Sequence, residues 1–293
     1  MYNRSMIRAL LKTMRPRQWP KNAFIFAALV FDGKLFRPSD FLRTFFGFLL
    51  FCLISSAVYI FNDLLDLEAD RQHPLKRNRP IASGKLPTPL AVTAGILLAS
   101  VTLVLGYLLA WQFSLVLLVY LAMMLAYSKW LKHVVLLDVM ILAAGFVLRV
   151  HAGTTLIHVL RFSPWLYVVM TLLSLYLGFG KRRAELALLA ENAESHRKVL
   201  EGYTIPLLDQ FITIVSGTTI VAYSLYTFFR PDAPTELMLT IPFVVYAIFR
   251  YLYLIQVKNA GGEPEEILLT DRPFQISILL WGLTVLVVFY LTK

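Results

Sequence analysis

The sequence predicts an all-α polytopic membrane protein, with nine transmembrane helices around a central cavity that opens to the cytoplasmic side. Three observations predict it. Of 293 residues, 58% are hydrophobic and only 16% are charged, whereas a soluble domain is roughly half apolar and about a quarter charged. Apolar stretches long enough to cross ~30 Å of hydrocarbon recur almost end to end. The 28 Lys and Arg residues are also sorted by side: twenty fall in segments that share a face with the N-terminus, five in segments on the other face and three within spans. That excess is the signature of cytoplasmic loops, so the N-terminus is expected in the cytoplasm and the C-terminus outside, across a bacterial plasma membrane. The same sorting accounts for the net charge of +10 without invoking nucleic acid.

Residues 1–18 form a basic amphipathic segment (Arg4, Arg8, Lys12, Arg15, Arg17) suited to the membrane surface, with no cleavable signal peptide. Spans are expected at roughly 20–36, 40–61, 89–110, 112–128, 134–158, 163–180, 205–229, 236–256 and 273–291. All read as helices, because an open strand in lipid leaves its backbone groups unpaired. The first is the weakest, since Asp32 and Lys34 interrupt its far end. Cys52 sits inside the second span as a small packing residue, and a single cysteine excludes an intramolecular disulfide. The longest connections, 62–88 and 181–204, are both expected on the cytoplasmic side, each after an even-numbered span. This hints at two halves that each present a charged loop to one cavity. The second loop has helix-forming composition, and a short helix is placed there. The chain, 1–293, is read as a single transmembrane domain, and the sequence leaves room for a homo-oligomer.

The 62–88 loop carries the chemistry. Asn62, Asp63, Asp66 and Asp70 form N-D-x-x-D-x-x-x-D. At ~100° per residue, positions 63, 66 and 70 line one stripe of a helix while Glu68 points elsewhere. Three aligned carboxylates repel one another unless a cation sits among them. Hard oxygen ligands favour Mg²⁺, which keeps water and shares its remaining sites with phosphates. Lys76, Arg77 and Arg79 follow, held by Pro74 and Pro80, and Gly84 with Lys85 marks a turn. Cations beside a metal-binding stripe suit a polyanion whose charge exceeds what the metal neutralises, such as a diphosphate. Read separately, the acids could cap a solvated helix end and the cations could serve topology alone.

This stripe at the end of the second helix, followed by "KRNRPIASG" and, ahead of the fifth helix, "YSKWLK", resembles the UbiA superfamily of intramembrane prenyltransferases. Members of that family bind a Mg²⁺-diphosphate at these positions. They also carry a second D-x-x-x-D after the sixth helix, where this chain reads "GKRRAEL", with Lys181, Arg182, Arg183 and Glu185. Together with "RPRQWPKN" (15–22), "YSKWLKHVVLLDVMILAAGFVLRVHAG" (127–153) and "GGEPEEILLTDRPFQ" (261–275), the departure resembles the branch that moves 5-phosphoribose from phosphoribosyl diphosphate (PRPP) to a polyprenyl phosphate.

The resemblance implies two phosphate sites, because PRPP carries a diphosphate on C1 and a monophosphate on C5. The Mg²⁺-diphosphate falls to Asn62, Asp63, Asp66 and Asp70, with Lys76, Arg77 and Arg79 beside it. Lys181 and Arg182 are candidates for the second phosphate, with Glu185 accepting from a ribose hydroxyl or orienting a lysine. The acceptor phosphate needs a cation at the mouth of a lipid-facing groove, for which Lys21, Lys132 and Arg149 are candidates. Arg149 lies deep in an apolar helix, where a charge is costly and functional by default. An ion pair with Asp138 is the structural alternative. Tyr127 either bonds a phosphate or marks the interface, and His151 and His158 read as packed or interfacial. Asp271 and Arg272 match the branch motif without a derivable role. Competing functions are an aromatic prenyltransferase with a polyprenyl diphosphate donor and a polyprenyl-phosphate carrier without chemistry.

Overall fold

The computed structural model describes residues 2–159, 163–191, 198–229, 234–258 and 264–290. Arg161, Arg230, Lys293 and positions 192–197 and 261–263 of the loops 181–204 and 261–275 lie outside the described residues. Among the described residues the chain is helical throughout. In order it forms α1 (Tyr2–Thr13), α2 (Ala27–Phe31), α3 (Pro38–Leu65), α4 (Leu67–Gln72), α5 (Thr88–Leu109), α6 (Trp111–Lys129), α7 (Leu137–Leu156), α8 (Pro164–Glu191), α9 (Ile205–Phe229), α10 (Ile241–Gln256), α11 (Pro264–Thr270) and α12 (Arg272–Tyr290). Seven helical segments among the described residues are long and apolar enough to cross a membrane: α3, α5, α6, α7, α9, α12 and Thr235–Gln256, which contains α10. Their outward faces carry residues such as Leu97, Leu108 and Leu279, which are 62%, 74% and 61% exposed. Faces that apolar are stable in lipid and not in water.

Two of the expected elements take another form. The first span, 20–36, is replaced by a 3-10 helix over Pro16–Phe26 followed by α2 and a turn at Gly33. Pro16 stands at the first position, where its missing N–H costs nothing, but the Pro20 ring inside the segment clashes with the carbonyl four residues back, which disfavours regular α-helix there. At about 2.0 Å per residue for the 3-10 part and 1.5 Å for α2, Pro16–Phe31 still reaches roughly 30 Å. In 181–204 a short helix is present as a 3-10 turn over Lys198–Gly202, and α8 also continues into the loop. Nothing between Lys181 and Glu191 breaks a helix, so the span expected to end at 180 carries its charged end straight onward.

The chain divides into two compact units: Met1–Lys132 with Leu148–Val159, and His133–Val147 with Leu160–Lys293. In the first, Phe51, Ile54, Ala57, Phe113, Leu117 and Leu156 build the core between α3, α6 and the second half of α7. A smaller cluster of Ala9, Ile60, Ile81, Leu86 and Ala91 packs α1 and the 80s loop against the end of α3. Gly153 is required there, since a Cβ would lie 2.0 Å from the carbonyl oxygen of Ile25. Its absence lets the Pro16–Phe26 segment press against α7. In the second unit, Val139, Tyr176, Phe179, Leu208, Ile212, Tyr251 and Ile255 form the core. Gly178 plays the matching part, because a Cβ would lie 2.6 Å from Val139.

Candidate active site

The acidic stripe sits where α3 gives way to α4. Asp66 closes α3 at φ −93°, ψ 7°, with its amide still bonded to Asn62 O and the Asp70 amide bonded to Asp66 O at 2.8 Å. The helical hydrogen bonds thus run through a slight break, and the spacing of 63, 66 and 70 survives it. Asp63 and Asp70 are each 3% exposed. Asn62 and Asp66 are half-buried, whereas Glu68 is exposed and pairs with Arg71 at 2.8 Å.

Each acid of the stripe meets a cation from a different part of the first unit. Arg15 donates to Asp63 Oδ1 at 2.5 Å. A single nitrogen of Arg79, Nη1, lies 3.2 Å from Asp63 Oδ1 and 2.6 Å from Asp70 Oδ2. Lys132 pairs with Asp66. Arg15 also stacks over Tyr59, its guanidinium carbon 4.8 Å from the ring centre. Arg77 and Lys85 are exposed, Lys76 half-buried, and Gly84 adopts φ +74°, which suits glycine. His73 Nδ1 accepts the backbone amides of Leu75 at 3.2 Å and Lys76 at 3.4 Å, shaping the turn that carries the cations. Burial and then the charge of Lys76 hold the His73 pKa below its ordinary value, which preserves the neutral ring that accepts these bonds.

Among the described residues no three His, Cys, Asp or Glu side chains gather into a ready-made metal cage. Asp63 and Asp70 nevertheless offer donors that suit a hard divalent ion. Two buried carboxylates come close enough to share one cationic nitrogen, and their oxygens are the donors such an ion prefers.

Arg149 is buried in α7 and donates to Asn22 Oδ1 at 2.8 Å and Tyr120 OH at 2.9 Å, with the Phe51 and Tyr120 rings over its guanidinium. Asp138, weighed above as an ion-pair partner for Arg149, pairs with Arg182. Lys21 and Tyr127 are half-buried, while His151 and His158 are exposed. Lys34, on the turn after α2, reaches the carbonyl of His158 and pairs with Asp32.

In the second unit the basic run at 181–183 divides. Arg182, 2% exposed, donates through Nε to Asp138 Oδ2 at 2.6 Å and through Nη1 to Glu185 Oε2 at 2.5 Å. Tyr203 donates to Asp138 Oδ1 at 2.6 Å and accepts the amide of Leu136, a residue held at φ +70°. Burial, and after it the bond to Asp138, raises the Tyr203 pKa, so the phenol stays protonated and remains a donor. Arg183 donates to Asp209 at 2.6 Å and to the Ile255 carbonyl at 2.8 Å. Lys181 is half-buried beside them. Asp271 has a structural place: it caps α12 by accepting the Phe274 amide at 2.9 Å, and it pairs with Arg250 at 2.8 Å. Arg272 next to it is exposed.

From the sequence Arg15 has a place only in the basic N-terminal segment, and Tyr120, Asp138 as the partner of Arg182, and Tyr203 have none. Arg15 could have been found, standing first in "RPRQWPKN"; the others carry no local signal.

Residues 23–265 match the UbiA prenyltransferase family. The chain is 38% identical over 293 aligned residues to the decaprenyl-phosphate phosphoribosyltransferase of Mycolicibacterium smegmatis, covering 95% of this chain and 91% of the relative. It is 32% identical to the Corynebacterium glutamicum protein of the same name, covering 96% and 87%. Among solved structures, a UbiA homolog from Archaeoglobus fulgidus bound to GPP and Mg²⁺ matches with a TM-score of 0.74 at 18% identity, over 96% of this chain and 99% of that one. That last likeness shows the fold alone.

Proposed function

The chain belongs to the UbiA prenyltransferase family, and from that premise we propose that it transfers 5-phosphoribose from PRPP to a polyprenyl phosphate such as decaprenyl phosphate, releasing diphosphate with inversion at C1. The observation that carries this reading is the Asp63–Arg79–Asp70 bridge, a buried carboxylate pair that requires a cation, beside further cations that a diphosphate would engage. Relatives named for phosphoribosyl transfer to decaprenyl phosphate support the donor and acceptor. The basic run at 181–183, standing where aromatic prenyltransferases carry a second acidic motif, disfavours that alternative.

Asp63, Asp66 and Asp70, with Asn62, would hold Mg²⁺, which when bound neutralises charge on the diphosphate. The chain's own cations add to this. Arg15, Arg79, Lys76 and Arg77 bind diphosphate oxygens and stabilise the charge that builds there as the bond to C1 breaks. Lys181 takes the C5 phosphate. Arg182, committed to Asp138 and Glu185, orients Glu185 toward a ribose hydroxyl. Lys21, Lys132, Tyr127 and Arg149 serve the acceptor phosphate. That group is already anionic near neutral pH, so no general base is needed. The sorting of Lys and Arg supports a bacterial plasma-membrane protein with its N-terminus in the cytoplasm.

The test is one assay: purified protein with Mg²⁺, ribose-labelled PRPP and decaprenyl phosphate. Label moving into lipid with release of diphosphate is the expected result. Transfer of a prenyl group from a prenyl diphosphate to an aromatic acceptor, or no turnover of either kind, would overturn the reading.

A further inference from the structure

The first unit holds its three acids against three cations, and the pairing is not symmetrical. Asp63 and Asp70 are buried, and the nitrogen that touches both belongs to Arg79, whose side chain remains 27% exposed. Two carboxylates at that depth cannot both stay ionised without a positive charge between them. A metal ion would draw on the same two carboxylates that Arg79 bridges, and repulsion between the two cations keeps both from holding the pair in full. We propose that Arg79 is an internal stand-in for the divalent cation, displaced from Asp63 and Asp70 when the metal enters and turned over to the diphosphate that accompanies it.

The charge balance gives this a consequence. Asp63, Asp66 and Asp70 are offset by Arg15, Arg79 and Lys132. A divalent ion entering alone meets a neutral cluster and must evict a cation into a surplus of positive charge. A diphosphate entering alone meets cations already engaged. Each ligand removes the other's obstacle, so their binding is positively coupled, and by linkage the coupling is the same in both directions. The inference rests on the assignment of this cluster to a metal-diphosphate, but not on which group is transferred.

The experiment measures binding without turnover. Mn²⁺, visible by electron paramagnetic resonance, is titrated into the purified full-length protein with and without inorganic diphosphate. Diphosphate should tighten Mn²⁺ binding by about tenfold or more in the natural protein, a value in the usual range of coupling between sites. Arg79→Gln, which leaves the carboxylate pair without its stand-in, should bind Mn²⁺ more tightly on its own and lose most of the coupling. Its unfolding temperature should be lower than that of the natural protein and rise further on adding Mn²⁺. Equal Mn²⁺ affinity with and without diphosphate in the natural protein would overturn the proposal, and so would weaker Mn²⁺ binding by Arg79→Gln. Should that variant not fold, the coupling in the natural protein decides alone. A protein that shows the coupling yet does not turn over PRPP retains this inference and loses the phosphoribosyl assignment; one that turns over PRPP without coupling does the reverse.

Discussion

The two charged clusters differ in how deeply their cations sit. In the first unit the buried members are acids, with Asp63 and Asp70 side chains 2% and 4% exposed. Their cations Arg15 and Arg79 reach in from positions 29% and 27% exposed, and the third pair, Lys132 with Asp66, is part-exposed on both sides at 18% and 29%. In the second the buried cation is Arg182, at 2%, bound to Asp138 at 0%. A cation that keeps contact with solvent can leave its acid and be rehydrated, whereas a buried guanidinium locked to a buried carboxylate cannot be released without exposing both to a low-dielectric interior. Clusters of similar composition therefore suit different work: the first can exchange partners with a ligand, and the second fixes geometry.

The sharpest way to break that contrast is to neutralise an acid in each. Asp63→Asn or Asp66→Asn should lower turnover by about 10³-fold, the scale of losing a preorganised charge in a reaction governed by electrostatics. The proteins should stay folded, because the cations left behind can be hydrated; unchanged turnover with Asp66→Asn would remove the stripe from the mechanism. In the second cluster Arg182→Ala should act first on stability. It leaves Asp138 buried and uncompensated, at a cost of about 3–5 kcal/mol, and thermal unfolding in detergent should show it. Arg182→Met combined with Asp138→Asn, which removes both charges, stays close to the original volume and keeps an acceptor for Tyr203, should recover most of the loss. If the double variant unfolds as early as Arg182→Ala, the pair is not the cause. A smaller effect sharpens the same line at the next residue: Lys181→Ala should raise the KM for PRPP by about tenfold, the worth of one hydrogen bond to a charged group. The lipid KM should move less, and equal shifts in both would cancel the phosphate assignment.

Local periodicity made much of this readable. The i, i+3, i+7 spacing places Asp63, Asp66 and Asp70 along one side, and the exposed Glu68 falls off it as the 100° step requires. Hydrophobic run length locates α3, α5, α6, α7, α9, α10 and α12 to within a few residues. What could not be read depends on distant contacts. Arg15 meets Asp63 across 48 positions and Arg182 meets Asp138 across 44, and nothing in either segment marks its partner. A break from regular α-helix was written in Pro20, but hydropathy alone counts that residue as part of an ordinary span.

The Arg250–Asp271 pair offers the mildest test, because two contributions at one carboxylate can be separated. Asp271 caps α12 through its acceptor oxygen and pairs with Arg250 through its charge. The bonds from Arg250 hold its carboxyl below the ordinary range against the opposing effect of burial, with the Phe274 amide helping. A carboxylate with a lowered pKa stabilises the fold fully above its unfolded value near 4, and that contribution fades as pH falls through the lowered one. Asparagine is as good a cap as aspartate but carries no charge. Asp271→Asn should therefore cost only the ion pair, and Asp271→Ala the pair and the cap together, the cap by itself being worth about 1 kcal/mol. The deficit of Asp271→Asn should be flat from about pH 5 to 8 and shrink below about pH 4, while the extra deficit of Asp271→Ala, being the cap, should persist longer as acid is added. Thermal unfolding across that pH series measures both. A deficit for Asp271→Asn that stays constant into acid would mean that shape at α12, and not the charge on Arg250, is what Asp271 supplies.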